Sequence, residues 1–385
     1  MPWKETCPMD QRLKFIVAVN DSDLSFAALC REFGISRKSG YKWVARYEAK
    51  GPRGLEDGDP GQHACPHAMP VAMADRLCEL RKGQPTFGPK KLRAWLLEEG
   101  ETAVPAASSI YDLLKARGLI TPRRRRVRTP PSVEPLAIGS QPNEVWCTDF
   151  KGHFALGDKT RCHPLTLTDH ASRFLLKCEG LTAPTEEASR VHFERAFREY
   201  GVPDRIRSDN GVPFASTAPG GLSALSIGWI KNGITPERIE PGQPQQNGRH
   251  ERMHKTLKDE VASPPSATML EQQRAFDCFR RFYNDKRPHE ALGQKPPATR
   301  YERSRRAMPS SPRSPEYPHT MQTRRLDDHG RLRFAGDKVG VTPLLAGEPV
   351  GIDSVDEETW ELFYGPIAIG ELRLRNKELH LVRIV

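Results

Sequence analysis

The 385-residue sequence predicts a multidomain protein: an all-α N-terminal part built of helix-turn-helix units, a central α/β unit, and a small all-β module at the C-terminal end. Three observations carry this expectation. Two helical stretches around a tight glycine turn open the chain, short strands begin to alternate with helices at Glu144, and from Arg331 onward only short β patterns remain. A chain of this length exceeds one average domain and can bury several separate cores.

Residues 24–33, the turn Gly34-Ile35-Ser36 and residues 37–47 read as a helix-turn-helix within a first domain, 1–55. Leu29, Phe33, Ile35 and Trp43 fall where the two helices must pack, Gly34 permits the turn, and Ser36 can cap the second helix. Arg37, Lys38, Lys42 and Arg46 then fall on its open face as candidate DNA contacts, the alternative being an ordinary helical hairpin with a solvated basic face. A second helical domain, 66–121, has its first helix from Val71, then Pro89 in a first turn followed by an apolar stripe of Leu92, Trp95 and Leu96. Its last helix, 108–117, stops at Gly118. Ile110, Leu113 and Leu114 there suit either the recognition helix of a second helix-turn-helix or winged-helix-like unit, or plain core. Residues 122–138 form a linker in which Arg123, Arg124, Arg125, Arg126 and Arg128 stand between prolines. Too charged to bury, it should lie along phosphates or remain a solvated tether.

The central unit spans 139–305. Residues 145–150 and 164–168 read as strands, and the turn Asp169-His170-Ala171-Ser172 leads into a hairpin partner at 174–178. Thr185 caps a helix that Gly201 ends, a strand at 205–208 delivers Asp209, and a Gly-rich stretch, 219–227, follows. A strand near 234–239 and the loop 241–247 lead to a helix that carries Glu251 to about Val261. A linker at 306–325, rich in Pro and Ser, separates this unit from the C-terminal module, 326–385.

Charge narrows the partners. The formal net charge is +10, and residues 1–140 hold 23 Lys+Arg against 16 Asp+Glu, whereas residues 324–385 hold 9 against 11. The basic half points to a polyanion. No apolar run approaches the roughly 20 residues needed to cross a bilayer, and the first ten residues lack a signal-peptide core, so a cytoplasmic protein is expected. The eight cysteines form no C-x-x-C pair, which suits reduced thiols filling small apolar sites. His63, Cys65 and His67 lack a fourth ligand at zinc-finger spacing.

Three acidic residues stand in distinct settings: Asp149 in EVWCTDFKGHF, Asp209 in DRIRSDNGVPF and Glu251 in QPQQNGRHERMHKTLK. Carboxylates are hard oxygen ligands. Two Asp and one Glu converging on a point would give Mg²⁺ or Mn²⁺ a partial shell that leaves room for water and phosphate oxygens. Two such ions in one site would suit phosphodiester chemistry, activating one oxygen and stabilising another.

These motifs, Trp146-x-x-Asp149, Ser208-Asp209-Asn210-Gly211 and Pro244-Gln245-x-Asn247-Gly248-x-x-Glu251-Arg252, together with Tyr283-Asn284, Arg287-Pro288-His289 and Pro296-Pro297, make the chain resemble bacterial insertion-sequence transposases of the DDE class. The core of that family resembles retroviral integrase. The resemblance implies an RNase H-like fold with a mixed five-stranded sheet, Asp149 on its first strand, Asp209 after its fourth and Glu251 on a helix, all three binding metal. It further implies that Lys255 and Lys258 contact element-end DNA, that Gln245 and Asn247 lie in a mobile loop beside the metals, and that the C-terminal module is an SH3-like barrel. Two departures stand out. The gap between Asp209 and Glu251 is 41 residues where the family has roughly 35, and we place the excess in a surface loop at 216–226. Should the excess displace the helix, Glu240 or Glu260 becomes the candidate acid; Asp169, in a turn, suits a structural role. The integrase-type N-terminal zinc domain is replaced by helix-turn-helix units, and the mildly acidic C-terminal module suits a subunit contact.

The activity so implied is binding of terminal inverted repeats on double-stranded DNA, cleavage of 3′ ends and joining of each 3′-OH to target DNA by at least a dimer. In-line attack on phosphorus requires no Tyr or Ser nucleophile. The competing readings are a catalytically silent sequence-specific DNA-binding protein and a structure-selective nuclease.

Overall fold

The computed structural model describes residues 7–57, 69–120, 136, 139–375 and 378–383. The run Arg123, Arg124, Arg125, Arg126 and Arg128 lies outside them, as does the His63, Cys65, His67 cluster. The chain divides into two compact units, Met1–Val71 and Ala72–Val385.

Three helices build the first unit: α1 (Pro8–Asp21), α2 (Phe26–Glu32) and α3 (Arg37–Lys50). Helix α2 ends because Gly34 turns left-handed at φ 66°, which lets the Ile35 N–H return to the Cys30 carbonyl at 2.9 Å. Ser36 then opens α3 by accepting the Ser39 N–H at 3.1 Å. The helices approach closely at Gly40, where a Cβ would stand 2.8 Å from Cys30 Sγ. Phe15, Ile16, Leu29, Cys30 and Leu55 form the core, with Phe33, Ile35 and Trp43 at its margin. The expected helix-turn-helix is therefore present, although α2 begins at Phe26 because Ser25 is extended and serves as its cap residue.

The second unit opens with α4 (Val71–Gly83), α5 (Pro89–Glu98) and α6 (Ala107–Ala116). Leu92, Leu96, Ile110 and Leu114 are buried, so Ile110 and Leu114 act as core, whereas Leu113 is half-buried. A central sheet follows, of β1 (Val145–Phe150), β2 (Phe154–Ala155), β3 (Arg161–Asp169), β4 (Leu175–Leu181), β5 (Arg205–Ser208) and β6 (Thr235–Arg238). Strand β3 lies antiparallel between β1 and β4, β1 pairs β5 in parallel, and β5 pairs β6 in parallel. The mixed sheet is as expected, with the two-residue β2 added alongside β3 as a sixth strand. Helices α7 (Glu186–Tyr200) and α8 (Ala224–Lys231) cover one face through Trp146, Leu165, Leu167, Phe193, Phe197 and Trp229. Helices α9 (Gly248–Val261) and α10 (Met269–Asp285) cover the other through Leu175, Cys178, Met253, Leu257, Phe276 and Phe279. Near its end α10 is fastened to the sheet by Asn284, whose side chain donates to Leu175 O and accepts from Leu175 N–H.

The helical segment before the sheet docks on α10 and the end of α9. Phe87 and Trp95 lie 6.2 and 5.8 Å from the Phe282 ring, and the Arg287 guanidinium sits 5.2 Å over Phe87. Arg287 also pairs with Glu260 and donates to Thr86 Oγ1 at 3.1 Å.

The C-terminal module is antiparallel throughout: β7 (Gln322–Arg325), β8 (Arg331–Phe334), β9 (Asp337–Gly340), β10 (Pro349–Ser354), β11 (Thr359–Tyr364), β12 (Ile367–Arg375) and β13 (Glu378–Arg383). Five strands pair in the order β13-β12-β11-β10-β7, and β8 pairs β9 separately. Strand β7, four exposed residues long, pairs with β10 and leaves its other edge open, as does β13 beyond β12. The described ladders therefore form no closed barrel, unlike the SH3-like expectation.

The stretch 216–226, expected to be a surface loop, is largely buried. Its small residues mark close packing: at Gly220, φ 66°, a Cβ would meet Ile369 Cγ2 at 2.9 Å and the Ala368 carbonyl at 3.0 Å, both on β12. Gly220→Val is expected to lower stability by about 2–4 kcal/mol, through overpacking and a strained left-handed backbone. A shifted urea midpoint checks this; an unchanged midpoint would show that the loop is free to move away from β12.

Candidate active site

The register of the parallel pair β1 and β5 decides where the first two acids lie. Cys147 pairs with Arg207, and two residues further along both chains come Asp149 and Asp209, side by side at the C-terminal ends of neighbouring strands. Adjacent strands stand about 4.8 Å apart, so the two carboxylates share one neighbourhood. The chain can turn directly after β5 because Gly211 lacks a side chain: a Cβ there would meet Asp209 Oδ2 at 3.0 Å. Asn210 ties the turn to the end of β6 by donating to Ile239 O at 2.7 Å.

Burial, then repulsion from Asp209, push the Asp149 carboxyl up to about 7; Glu251 adds to that repulsion as a smaller contribution. Burial also raises Asp209, while the Gly211 N–H opposes the rise. Asp209 Oδ1 is buried without a hydrogen-bond partner. An orphaned carboxylate oxygen beside a second carboxyl that resists ionising is the donor set a hard divalent cation satisfies, and Mg²⁺ or Mn²⁺ fits it. Glu251 stands exposed in the first turn of α9. Among the described residues no three His, Cys, Asp or Glu side chains converge tightly enough to hold a metal as they stand.

Beneath Asp149 lies a network that sequence reasoning missed. The Thr166 hydroxyl donates to the Asp149 carbonyl oxygen at 3.1 Å. Its lone pairs are then free for His250 Nε2 at 2.7 Å and His254 Nε2 at 2.6 Å, so both rings carry the proton on Nε2. Thr168 Oγ1 donates to His250 Nδ1 at 2.7 Å. Burial depresses His250 to about 3 and His254 to about 2, so both rings are neutral. The 3.5 Å approach of His254 Nδ1 to Asp149 Oδ2 is therefore a lone pair facing a carboxyl rather than an ion pair, and a proton on Asp149 reconciles the two. The available signal was the i, i+4 spacing of His250 and His254 on the face of α9 that also carries Met253 and Leu257.

Of the other expected site residues, Lys255 and Lys258 are exposed and share Glu251's side of α9. Gln245 and Asn247 belong to a short 3-10 turn, Pro244–Asn247, that leads into α9; Asn247 is buried with its Oδ1 unpartnered. Glu260 is engaged by Arg287, and Glu240 is exposed. Asp169 accepts from Asn143 N–H, Ser172 N–H and Ser172 Oγ, a structural role. In the first unit Arg37, Lys38 and Lys42 are exposed on α3, whereas Arg46 is half-buried with its guanidinium 5.2 Å over the Trp43 ring.

Comparison with known proteins extends these observations. The chain matches the integrase core domain family over residues 139–244 and a second integrase core domain family over 232–297. Helix-turn-helix and homeodomain-like families match residues 11–62 and 39–114. It is 30% identical over 282 residues to the insertion element IS407 uncharacterized 31.7 kDa protein of Burkholderia multivorans, covering 72% of this chain and 90% of that protein. It is also 30% identical over 270 residues to the insertion element IS476 uncharacterized 39.2 kDa protein of Xanthomonas euvesicatoria, covering 66% and 73%. Among solved structures, the HTLV-2 integrase catalytic core domain in complex with magnesium is similar at 17% identity and a TM-score of 0.34, covering 43% of this chain and 99% of that one.

Proposed function

Because the chain belongs to the bacterial insertion-sequence transposase family with an integrase core, we propose that it binds the terminal inverted repeats of its own element, cleaves their 3′ ends and joins them to target DNA. The catalytic residues in this reading are Asp149, Asp209 and Glu251. The observation that carries it is the pairing of Asp149 with Asp209 at the C-terminal ends of neighbouring parallel strands, one carboxyl pushed up to about 7 and the other left with an orphaned oxygen.

Asp149, Asp209 and Glu251 would hold two divalent cations. Those cations supply polarisation of the scissile phosphate and neutralisation of charge on the attacking and departing oxygens. The chain's own contribution is position. Thr166 fixes the Asp149 backbone, Gly211 seats Asp209, and α9 presents Glu251 with Lys255 and Lys258 on one side for the DNA backbone. Gln245 and Asn247 stand at the entry to α9 for contact with the unpaired end. Arg37, Lys38, Lys42 and Arg46 would bind the repeat through α3, and Arg123, Arg124, Arg125 and Arg126 would follow phosphates. Two ends joined in concert call for a dimer or larger assembly on DNA. No helix among the described residues is long and apolar enough to cross a membrane.

The competing reading, a catalytically silent DNA-binding regulator, draws on the absence of any tight three-residue metal cluster among the described residues. Purified protein with Mg²⁺ or Mn²⁺ and a plasmid carrying the element ends separates the two. Boundary products made by the wild type and lost in Glu251→Gln support the transposase; equal cutting by the variant removes Glu251 from the site. Binding of the ends by both proteins without cutting favours the regulator.

A further inference from the structure

On the flank of α9 next to the face that carries Glu251, a cleft opens between that helix, the turn joining β3 to β4, and α10. Asp169, His170, Arg173, Arg249, Met253 and Tyr283 are among the residues around it, and its interior of about 10 Å³ leaves the arginines to act at its rim. Two guanidiniums converge in it: Arg173 and Arg249 both donate through Nη1 to the His170 carbonyl oxygen, Arg249 at 3.4 Å. Arg252, one turn beyond Arg249, stands exposed on that flank of α9 and adds its charge to theirs.

Asp169, the acid on the cleft wall, acts on this charge without pairing with it, its oxygens being taken by Asn143 and Ser172. Among the described residues none of Arg173, Arg249 and Arg252 forms a salt bridge, and the other nearby carboxylates are engaged elsewhere. Glu237 is held by Arg207, Glu260 by Arg287 and Glu290 by Lys90. His170 and Tyr283, which also face the cleft, carry no charge. Burial keeps His170 at about 3 and raises the Tyr283 hydroxyl. Burial and then Arg249 lower the Arg173 guanidinium to about 10, against a smaller opposing contribution from Asp169. The backbone makes the arrangement rigid: Arg173 sits at φ 66°, in the left-handed region, with its N–H bonded to Asp169 O at 3.0 Å.

Planar guanidiniums in such a cluster match phosphate oxygens two at a time. We propose that Arg173, Arg249 and Arg252 form a binding site for the phosphate backbone of DNA, on the flank of α9 next to the face that carries Glu251, Lys255 and Lys258. The site rests on the reading of this core as one that acts on DNA. A strand laid across α9 then meets arginines on one flank and lysines on the crest of the helix that carries Glu251.

The test is DNA binding in EDTA, which removes any contribution from metal-dependent chemistry. Full-length wild type and the Arg249→Gln/Arg252→Gln double variant are titrated with a labelled duplex of random sequence over a series of salt concentrations. Arg173 is left in place because it also holds the β3–β4 turn. Each phosphate contact contributes about 0.9 to the slope of log affinity against log salt, so the double variant is expected to lose about 2 from that slope. Its thermal midpoint should be unchanged, and Arg249→Lys/Arg252→Lys should restore most of the slope. A double variant with the wild-type slope and affinity overturns the site while leaving the DNA-acting reading intact. A wild type that does not bind the duplex overturns that reading and the site together.

Discussion

Asparagine in place of Asp149 is expected to stabilise the metal-free protein above neutral pH while lowering strand cleavage by at least about a thousandfold, the loss of about 4 kcal/mol of transition-state stabilisation. The stability half of this result follows from the titration of the native carboxyl. Asp149 titrates at 3.8 in the unfolded chain and at about 7 in the folded one, so the native state holds the proton more tightly. The stabilisation from that proton is complete below pH 3.8 and is lost as pH rises through 7. Above 7 a wild-type protein without metal therefore carries a destabilising charge worth on the order of 2–4 kcal/mol, partial access to water lowering what the full shift would give. The amide has no such charge. As pH rises from 3.8 to about 7, melting temperatures in EDTA should fall more steeply for wild type than for Asp149→Asn. Added Mg²⁺ should raise the wild-type value and leave the variant unmoved. Parallel pH curves for the two proteins would mean that Asp149 is not under repulsion.

Arg287→Ala is expected to destabilise the protein by about 3–5 kcal/mol, the cost of leaving a buried charge without its partner. The Arg287 side chain is 3% exposed and that of Glu260 15%, so water cannot replace the lost guanidinium. Three interactions disappear together: the pair with Glu260, the bond to Thr86 Oγ1 and the cation over Phe87. Urea denaturation of the single variant and of Arg287→Ala/Glu260→Gln decides the cause. Recovery of a large part of the loss in the double variant assigns it to the orphaned carboxylate; no recovery assigns it to packing on Phe87.

The parts of the fold visible in the sequence were those specified by local chemistry. Gly34 and Ser36 announce a helix stop and a helix start within three residues, and the structure uses both in that way. The apolar run before Asp149 and the short strand before Asp209 place two acids at strand ends, which needs only strand periodicity. What remained hidden depends on partners distant in the chain. Gly220 and its neighbours have the composition of a surface loop, yet they are small because β12 lies against them, and no local pattern reveals a strand some 150 residues away. His250 and His254 fall at inward positions of α9, but their partners Thr166 and Thr168 come from a strand far upstream. Closure of a barrel likewise depends on whether two edge strands meet, and the strand patterns of β7 and β13 carry no information on that.

Leu222, Ile227 and Ile230, on the stretch that follows Asp209, belong to the same buried cluster as Leu326, Leu332, Val350, Ile352 and Ile369 of the C-terminal module. Lys231 reaches Glu348 at 2.6 Å, and its carbonyl accepts the Arg313 N–H at 2.9 Å. The Pro-rich segment between the two regions thus marks a change in composition but not a change in allegiance. The terminal sheet is a keystone rather than an appendage: the stretch that leads away from Asp209 is wedged against β12, so a substitution on β12 reaches the central unit as well as its own.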